Sequence, residues 1–297
     1  MKKHKNILSA ILVMMLWGAL FPLVKTGYRE FGIDTGYMPN LILFAGIRFV
    51  VCGFMITLFA KKNGKRLKLE KWEIGPVVAV GAFAVVLHYT FTYSGLAMTD
   101  SGVTALIKQL GSFAFIPLSF LFFKEDKFSV QKLLGAVLGF GGIVVLNLTS
   151  AGFELGIGEL LIIMASLCGV IANVFGKHVI KTLDAIVMTG LSQLLGGAVL
   201  LLIAVLSGGH MGTVSASGIL VFGCICTASI IGYCLWYSLI GKNNLSQLYI
   251  VKFLEPIFAA VFGMIMLNED ILNIRFLLAL LFTGAAIVIS NWNFKKI

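Results

Sequence analysis

Apolar runs of membrane-crossing length follow one another along almost the whole chain, separated by short polar stretches. They cover about 7–27, 39–60, 74–97, 101–123, 129–149, 157–176, 184–206, 216–240, 245–267 and 273–293. Each approaches the roughly 20 residues that a helix needs to cross about 30 Å of hydrocarbon. Lipid offers no partner to a backbone N–H or C=O, so such runs are expected as helices, which satisfy those groups internally. The pattern predicts an all-α integral membrane protein of ten transmembrane helices. Its connections are too short for a soluble catalytic domain.

Composition agrees: 59% of residues are hydrophobic, 12% are charged and the mean hydropathy is +1.00, against about 45–50% apolar and 25% charged in soluble domains. The net charge of +10 invites a nucleic-acid reading, but the basic residues fall where topology needs them. With a cytoplasmic N-terminus, Lys2, Lys3, Lys5, the cluster Lys61, Lys62, Lys65, Arg66, Lys68, Lys71, and then Lys124, Lys127, Lys132, Lys177, Lys181, Lys242, Lys295 and Lys296 all lie inside, against Arg29 and Arg275 outside. The positive-inside rule then puts both termini in the cytoplasm. The expected location is the cytoplasmic membrane, crossed many times, with the lipid bilayer as partner and no nucleic acid. The basic start resembles a signal peptide, yet its apolar run is too long and lacks a cleavage site, so it is expected to stay as the first span. Five cysteines (Cys52, Cys168, Cys224, Cys226, Cys234) fall in the apolar runs. An odd number argues against a disulfide framework, and on a helix Cys224 and Cys226 diverge by about 200° and cannot grip one metal.

The chain nearly repeats itself at an offset of 144 residues: Tyr93-Ser94 returns as Tyr237-Ser238, Lys108 as Lys252, Leu110 as Leu254, Glu125-Asp126 as Glu269-Asp270 and Leu133-Leu134 as Leu277-Leu278. Ten positions agree among 54 without a gap. Charges inside apolar segments are costly and seldom coincide. The repeat implies two halves, 1–150 and 151–297, of five spans each. An odd number of spans inverts the second copy, which predicts a central cavity between inverted repeats. By helix rise the two lysines flank the midplane from opposite sides.

Ser101, Thr104, Lys108 and Ser112 share one stripe of a continuous helix, and Leu245, Tyr249, Lys252 and Glu255 form its counterpart. Polar stripes in lipid turn inward. Candidate substrate-binding residues are therefore Lys108, Lys252, Ser112, Thr104, Tyr249, Trp17, His88, Tyr93, Asn173 and Tyr237, with Arg48, Gln193 and Tyr233 also inward. Glu255, three residues after Lys252, is expected to neutralise it on the same face, or to serve as a coupling carboxylate. Lys108 has no acid within a turn or two save Asp100 and is the stronger anion ligand. Arg48 is read as a charge-pair or carbonyl-bound residue, and His88 as a packed, hydrogen-bonded histidine more than a titrating one. Gly135, Gly139 and Gly142 form a helix-contact pattern, read first as packing inside a monomer and second as a homodimer face.

Trp17-Gly18 with Phe21 and Lys25, Arg48-Phe49, Lys124-Glu125, and Glu255-Pro256 followed by Asn268-Glu269 together resemble the EamA branch of the drug/metabolite transporter superfamily. The resemblance covers about residues 7–293. It implies a basket of helices around a substrate cavity, with the fifth and tenth spans at the periphery. It also implies export of amino acids, metabolites or toxic compounds by most members, and import or exchange of phosphorylated sugars and nucleotide sugars by some. Gly111-Ser112 stands in the first repeat where Glu255-Pro256 stands in the second, so the two helices are not expected to bend alike.

Neither a phosphate-binding loop, a zinc-protease pair nor a nucleophile elbow occurs. The expectation is a secondary transporter without cofactor or metal, taking a small-molecule substrate, rather than an enzyme. Isolated charges rather than a ring disfavour a channel.

Overall fold

Where the chain turns apolar it turns helical, and polar or conformationally special residues mark the ends. The computed structural model describes residues 2–123, 129–146, 148–149, 152–153, 155–243, 245–252, 254–270 and 273–291. Residues 124–127, with the first Glu-Asp copy and its Lys124-Glu125, and Lys295 and Lys296 lie outside them.

The helices are α1 (Lys2–Glu30), α2 (Met38–Lys62), α3 (Lys71–Gly81), α4 (His88–Met98), α5 (Ser101–Ile107), α6 (Leu110–Leu118), α7 (Val130–Leu146), α8 (Ile157–Val179), α9 (Ala185–Leu206), α10 (Ala216–Ile240), α11 (Leu245–Val251), α12 (Leu254–Leu267) and α13 (Ile274–Asn291). A π-helical stretch, Ala82–Leu87, joins α3 to α4 in one path from Lys71 to Met98. A two-residue antiparallel ladder, Leu148 opposite Phe153 and Thr149 opposite Gly152, lies between α7 and α8. Among the described residues six helices are long and apolar enough to cross a membrane, Leu8–Glu30, Met38–Lys62, Lys71–Met98, Ile157–Val179, Ala185–Leu206 and Ala216–Ile240. Shorter apolar helices cover Ser101–Ile116, Leu254–Leu267 and Ile274–Ala286.

Caps explain the ends. Glu70 and Glu73 close a capping box at the start of α3, and Arg66 binds both carboxylates at 3.2 and 2.7 Å. The Asp184 carboxylate accepts from the Ile186 amide at 2.9 Å to start α9, and the Ser215 hydroxyl accepts from the Gly218 amide at 2.9 Å to start α10. Ser215 in turn donates to Glu30 at 2.9 Å and ties α10 to the end of α1.

Packing pairs elements from the two sequence halves. The helix α2 lies along α9, α7 along α13, α1 against α10 and α12, and α8 against α3, α4 and α6. The first of these contacts needs glycine: a Cβ on Gly53 falls 2.3 Å from the Leu194 nitrogen, so only a side chain of one hydrogen lets the backbones approach this closely. Gly139 faces the Phe113 ring of α6, where a Cβ would lie 2.3 Å away. That glycine therefore packs within one chain. The cysteines are all free; Cys224 is exposed and the others are buried or half-buried.

Two expected spans are broken. The run at 101–123 is α5 and α6 with Lys108 and Gln109 between them, and the run at 245–267 is α11 and α12 with Lys252 in the gap. At the first break the backbone tightens: Lys108 and Gln109 have ψ of −18° and −12°, and the Gln109 amide reaches back only three residues, to the Leu106 carbonyl at 3.0 Å. At the second, the Glu255 amide likewise takes the Lys252 carbonyl at 3.0 Å.

A cationic and aromatic cavity at the centre of the helices

A break in a helix frees backbone groups, and in an apolar surrounding each must find a new partner. At Lys108 the partner is Ser166 of α8. Its hydroxyl donates to the Lys108 carbonyl at 2.5 Å and accepts from the Gly111 amide at 2.7 Å. A Cβ on Gly111 would fall 2.4 Å from that hydroxyl oxygen and 2.7 Å from the Ser166 carbonyl oxygen, so glycine is what lets α8 reach the break. The Lys108 side chain is thereby aimed into a cavity bounded by α1, α2, α4, α8 and α10.

The space open to the centre of a water molecule is ≈ 70 Å³. One water needs about 10–15 Å³ by that measure, so the cavity has room for a handful of heavy atoms. Of the expected residues, Trp17, Arg48, His88, Tyr93, Lys108, Asn173, Tyr233, Tyr237 and Lys252 line it together, while Gln193 is buried elsewhere. Thr104, Ser112, Tyr249 and Glu255 are buried but not on its wall. The expected stripe does not hold: Ser112 lies past the break, and Thr104, though on one turn with Lys108 through the Lys108 amide, is turned to Thr99. Thr104 meets the Thr99 hydroxyl, Ser112 donates to Gln109 Oε1 at 3.5 Å, and Ser101 binds Glu269 through its amide at 3.2 Å and its hydroxyl at 3.0 Å. Tyr249 stands behind the wall and donates no charge to it; it accepts from Asn173 Nδ2 at 2.9 Å, while Asn173 Oδ1 accepts from Trp236 Nε1 at 3.2 Å.

The charge pairing differs from the expectation. Glu255 Oε1 lies 3.4 Å from Lys108 Nζ, and no ion pair joins it to Lys252. Lys252 and Glu255 still share one turn, the Glu255 amide donating to the Lys252 carbonyl, but the Glu255 carboxylate reaches across to Lys108 instead. Glu255 is fully buried, whereas the Lys108 side chain keeps 14% of its surface; Glu255 Oε2 has no partner. Lys252 Nζ instead stands 4.9 Å from the Tyr249 ring centre and 5.8 Å from that of Trp236, cation–π contacts. It has neither hydrogen bond nor ion pair among the described residues. Lys25, near the end of α1, pairs with Glu269 at 2.9 Å.

Arg48 also departs from the expected acid or carbonyl partner. It is fully buried and donates through Nε and Nη2 to Ser229 Oγ at 3.0 and 2.6 Å, and through Nη1 to the Tyr93 hydroxyl. Its guanidinium carbon lies 4.8 Å from the Phe49 ring centre and 5.2 Å from that of Tyr89. His88 is packed as expected, its Nδ1 2.6 Å from the Ala165 carbonyl, while also reaching the cavity. The π-helical stretch just before it adds a residue to the turn and sets which side chains of α4 face inward.

Sequence reasoning missed Ser166, Ser229 and Tyr89, whose hydroxyl lies 2.5 Å from that of Tyr233, a residue expected inward. These tyrosines are themselves 144 residues apart, so the repeat carried their signal four residues before its first matched position.

This geometry has relatives. A Bacillus subtilis (strain 168) protein described as "Uncharacterized transporter YvbV" is 29% identical over 305 residues, covering 99% of this chain and 93% of its own. An Escherichia coli (strain K12) protein described as "Probable amino-acid metabolite efflux pump" is 23% identical over 312 residues, covering 99% and 97%. A solved crystal structure superposes with a TM-score of 0.74 at 15% identity, over 97% of this chain and 96% of that one; at that identity the likeness is one of fold. The sequence profile of the EamA-like transporter family matches residues 4–148 and again 156–291, and the chain, a multi-pass membrane protein, belongs to that family.

Proposed function

We propose that this chain is a secondary transporter of the cytoplasmic membrane that exports small polar organic metabolites, amino acids or related carboxylates first, by alternating access. In this reading ten spans form two inverted repeats, 1–150 and 151–297, with both termini cytoplasmic. The observation that carries it is the meeting of positions 144 residues apart around one cavity: Lys108 with Lys252, Tyr93 with Tyr237, and Tyr89 with Tyr233 in direct contact. Two copies related by a two-fold axis touch at equivalent residues only where the axis passes between them, and transporter sites of inverted repeats lie there. The broken helices at both lysines fit the same architecture, since irregular backbone within lipid is tolerated where it lines a cavity.

The wall carries Arg48, Lys108 and Lys252 against, among the described residues, the carboxylate of Glu255 behind it, an excess that favours a solute with an anionic group. The same excess supports a second reading, import or exchange of phosphorylated or other anionic metabolites. Export of amino acids is drawn from the description of the Escherichia coli relative. Proteoliposomes loaded with labelled amino acids or with sugar phosphates separate the two. Saturable amino-acid efflux is expected; flux of the phosphates alone establishes the second reading, and flux of neither overturns both. Single cysteines at Thr92 and Ala172, both on the wall, in a background freed of the native thiols, should change labelling from opposite sides when substrate is added. Unchanged labelling at both overturns alternating access.

A further inference from the structure

The three cations on the cavity wall are not equally available. Arg48 donates from all three of its nitrogens to Ser229 and Tyr93. Lys108 is held by Glu255. Lys252 has neither hydrogen bond nor ion pair among the described residues: its ammonium rests on the rings of Tyr249 and Trp236, and the Glu255 charge acts on it only from beyond ion-pair distance. Two further polar atoms of wall residues, Trp17 Nε1 and Thr92 Oγ1, are buried without a partner. Two of these three unsatisfied groups, the ammonium and the indole N–H, only donate, and the hydroxyl does so readily. The wall therefore asks its ligand for acceptors. Around Lys252 the wall is aromatic: Trp17 lies with ring centres 5.3 Å from Tyr233 and 5.2 Å from Trp236.

Resting on the transport reading above, we propose that Lys252 alone of the three takes the substrate's anionic group, that Lys108 and Arg48 are structural cations, and that the substrate is a monocarboxylate with a flat or apolar body. One free ammonium matches one negative charge. A phosphate dianion would meet the same single cation and leave a second charge without a partner in a wall of low dielectric. The aromatic faces next to Lys252 supply the surface on which a planar body rests. This assignment reverses the ranking drawn from sequence, where Lys108 looked free and Lys252 looked paired.

Benzoate, its neutral isostere benzamide, and phenyl phosphate test it, by titration of the full-length protein in lipid nanodiscs with calorimetric readout. The wild type is expected to bind benzoate about 10- to 100-fold tighter than benzamide, the range of a charge-assisted hydrogen bond, and to bind phenyl phosphate no better than benzoate. Lys252→Gln should erase the benzoate advantage and leave benzamide affinity unchanged, so that benzamide binding reports on folding. Lys252→Met, which keeps the apolar stem against Tyr249 and Trp236, should likewise erase the advantage, and Lys252→Arg should keep part of it. The double variant Lys108→Gln with Glu255→Gln should retain all of it. Loss of the advantage in that double variant but not in Lys252→Gln or Lys252→Met transfers the assignment to Lys108 and overturns the proposal. Equal affinity of the wild type for all three probes, or tighter binding of phenyl phosphate, overturns it too. Amino-acid flux in proteoliposomes is read separately: flux with no carboxylate preference defeats this assignment alone, and absent flux defeats the transport reading.

Discussion

The breaks at Lys108 and Lys252 stand 144 residues apart and present the same cation to one cavity, yet they are completed by different chemistry. At Lys108 a serine from α8 satisfies the parted backbone and a carboxylate from α12 holds the ammonium. At Lys252 two aromatic rings stand in place of that carboxylate. The cause is visible at one position. Glu255 corresponds at the repeat offset to Gly111, and each serves the first break: Gly111 admits Ser166, and Glu255 crosses to Lys108. At this offset the break and the charge recur, while both partners serve the first of the two breaks. A cavity with one cation held by a carboxylate and one resting on rings is thereby oriented, which two equivalent cations would not achieve.

The largest expected effect sharpens this contrast. Lys108→Ala leaves Glu255, fully buried and with Oε2 already unpartnered, as an isolated charge, at about 3–5 kcal/mol. Lys252→Ala strands no charge and loses cation–π and stem contacts worth about 1 kcal/mol. Melting midpoints of the purified variants should separate widely, and Glu255→Gln should recover most of the loss in Lys108→Ala. Equal losses in the two single variants, or rescue of Lys252→Ala by Glu255→Gln, would mean that Glu255 serves Lys252 after all.

Next in size is Ser166→Ala. It removes a donor to the Lys108 carbonyl and an acceptor for the Gly111 amide, so two buried backbone groups lose partners at about 1–3 kcal/mol together. The counterpart of Ser166 at the repeat offset is Pro22, which has no side-chain polar atom. Pro22→Ala should therefore leave the second break intact, with a change in stability set by α1 itself. Hydrogen exchange at residues 108–111 should rise in Ser166→Ala and stay unchanged in Pro22→Ala.

Much of this was legible in the residues. Apolar run length placed the helices, because backbone satisfaction in lipid admits few alternatives. The offset of 144 brought Lys108, Lys252, Tyr93 and Tyr237 to one wall, as the structure has them. What escaped were effects of the breaks and contacts between the halves. A pairing of Lys252 with Glu255 follows from their spacing and fails because Lys108, from the other half of the sequence, takes the carboxylate. Ser112 is set toward the cavity by assuming a continuous helix, and Thr104 leaves it for the Thr99 hydroxyl. Arg48 was expected to find an acid or carbonyl because charge seeks countercharge; hydroxyls of Ser229 and Tyr93, with aromatic faces around them, are too common in sequence to be singled out. Ser166 gave no signal at all, since its role exists only where α8 meets a parted backbone.

A smaller effect tests the two-fold contact. Tyr89→Phe or Tyr233→Phe removes one hydroxyl of the 2.5 Å pair and leaves the other in the wall. The expected cost is about 1 kcal/mol, and the double phenylalanine variant should lose less than the sum of the singles, because both partners go together. Strict additivity would show that the hydroxyls do not depend on each other and would weaken the reading of an axis between them.

The smallest expected effect contrasts the deep pair with one at the rim. Asp184, the cap just before α9, lies 2.9 Å from Lys65. Partial burial pushes its carboxyl upward, but the hydrogen bond from Lys65, the Ile186 amide and the Lys65 charge together hold it below the ordinary aspartate range. A lowered value makes the pair stabilising above the unfolded aspartate value of about 3.9, with the contribution lost as pH falls through the lower folded value. Both side chains remain partly exposed, at 43% and 33%, so the contribution stays below about 1 kcal/mol and is screened by salt. Asp184→Asn should accordingly flatten the acid limb of the stability profile slightly, and in 1 M salt the difference from wild type should shrink. Lys108 and Glu255, shielded from the ionic atmosphere, should show no such salt dependence in the corresponding double-mutant cycle. A salt-sensitive coupling at the deep pair would place that pair in contact with bulk solvent, and Lys108 would then be no more fixed than Lys252.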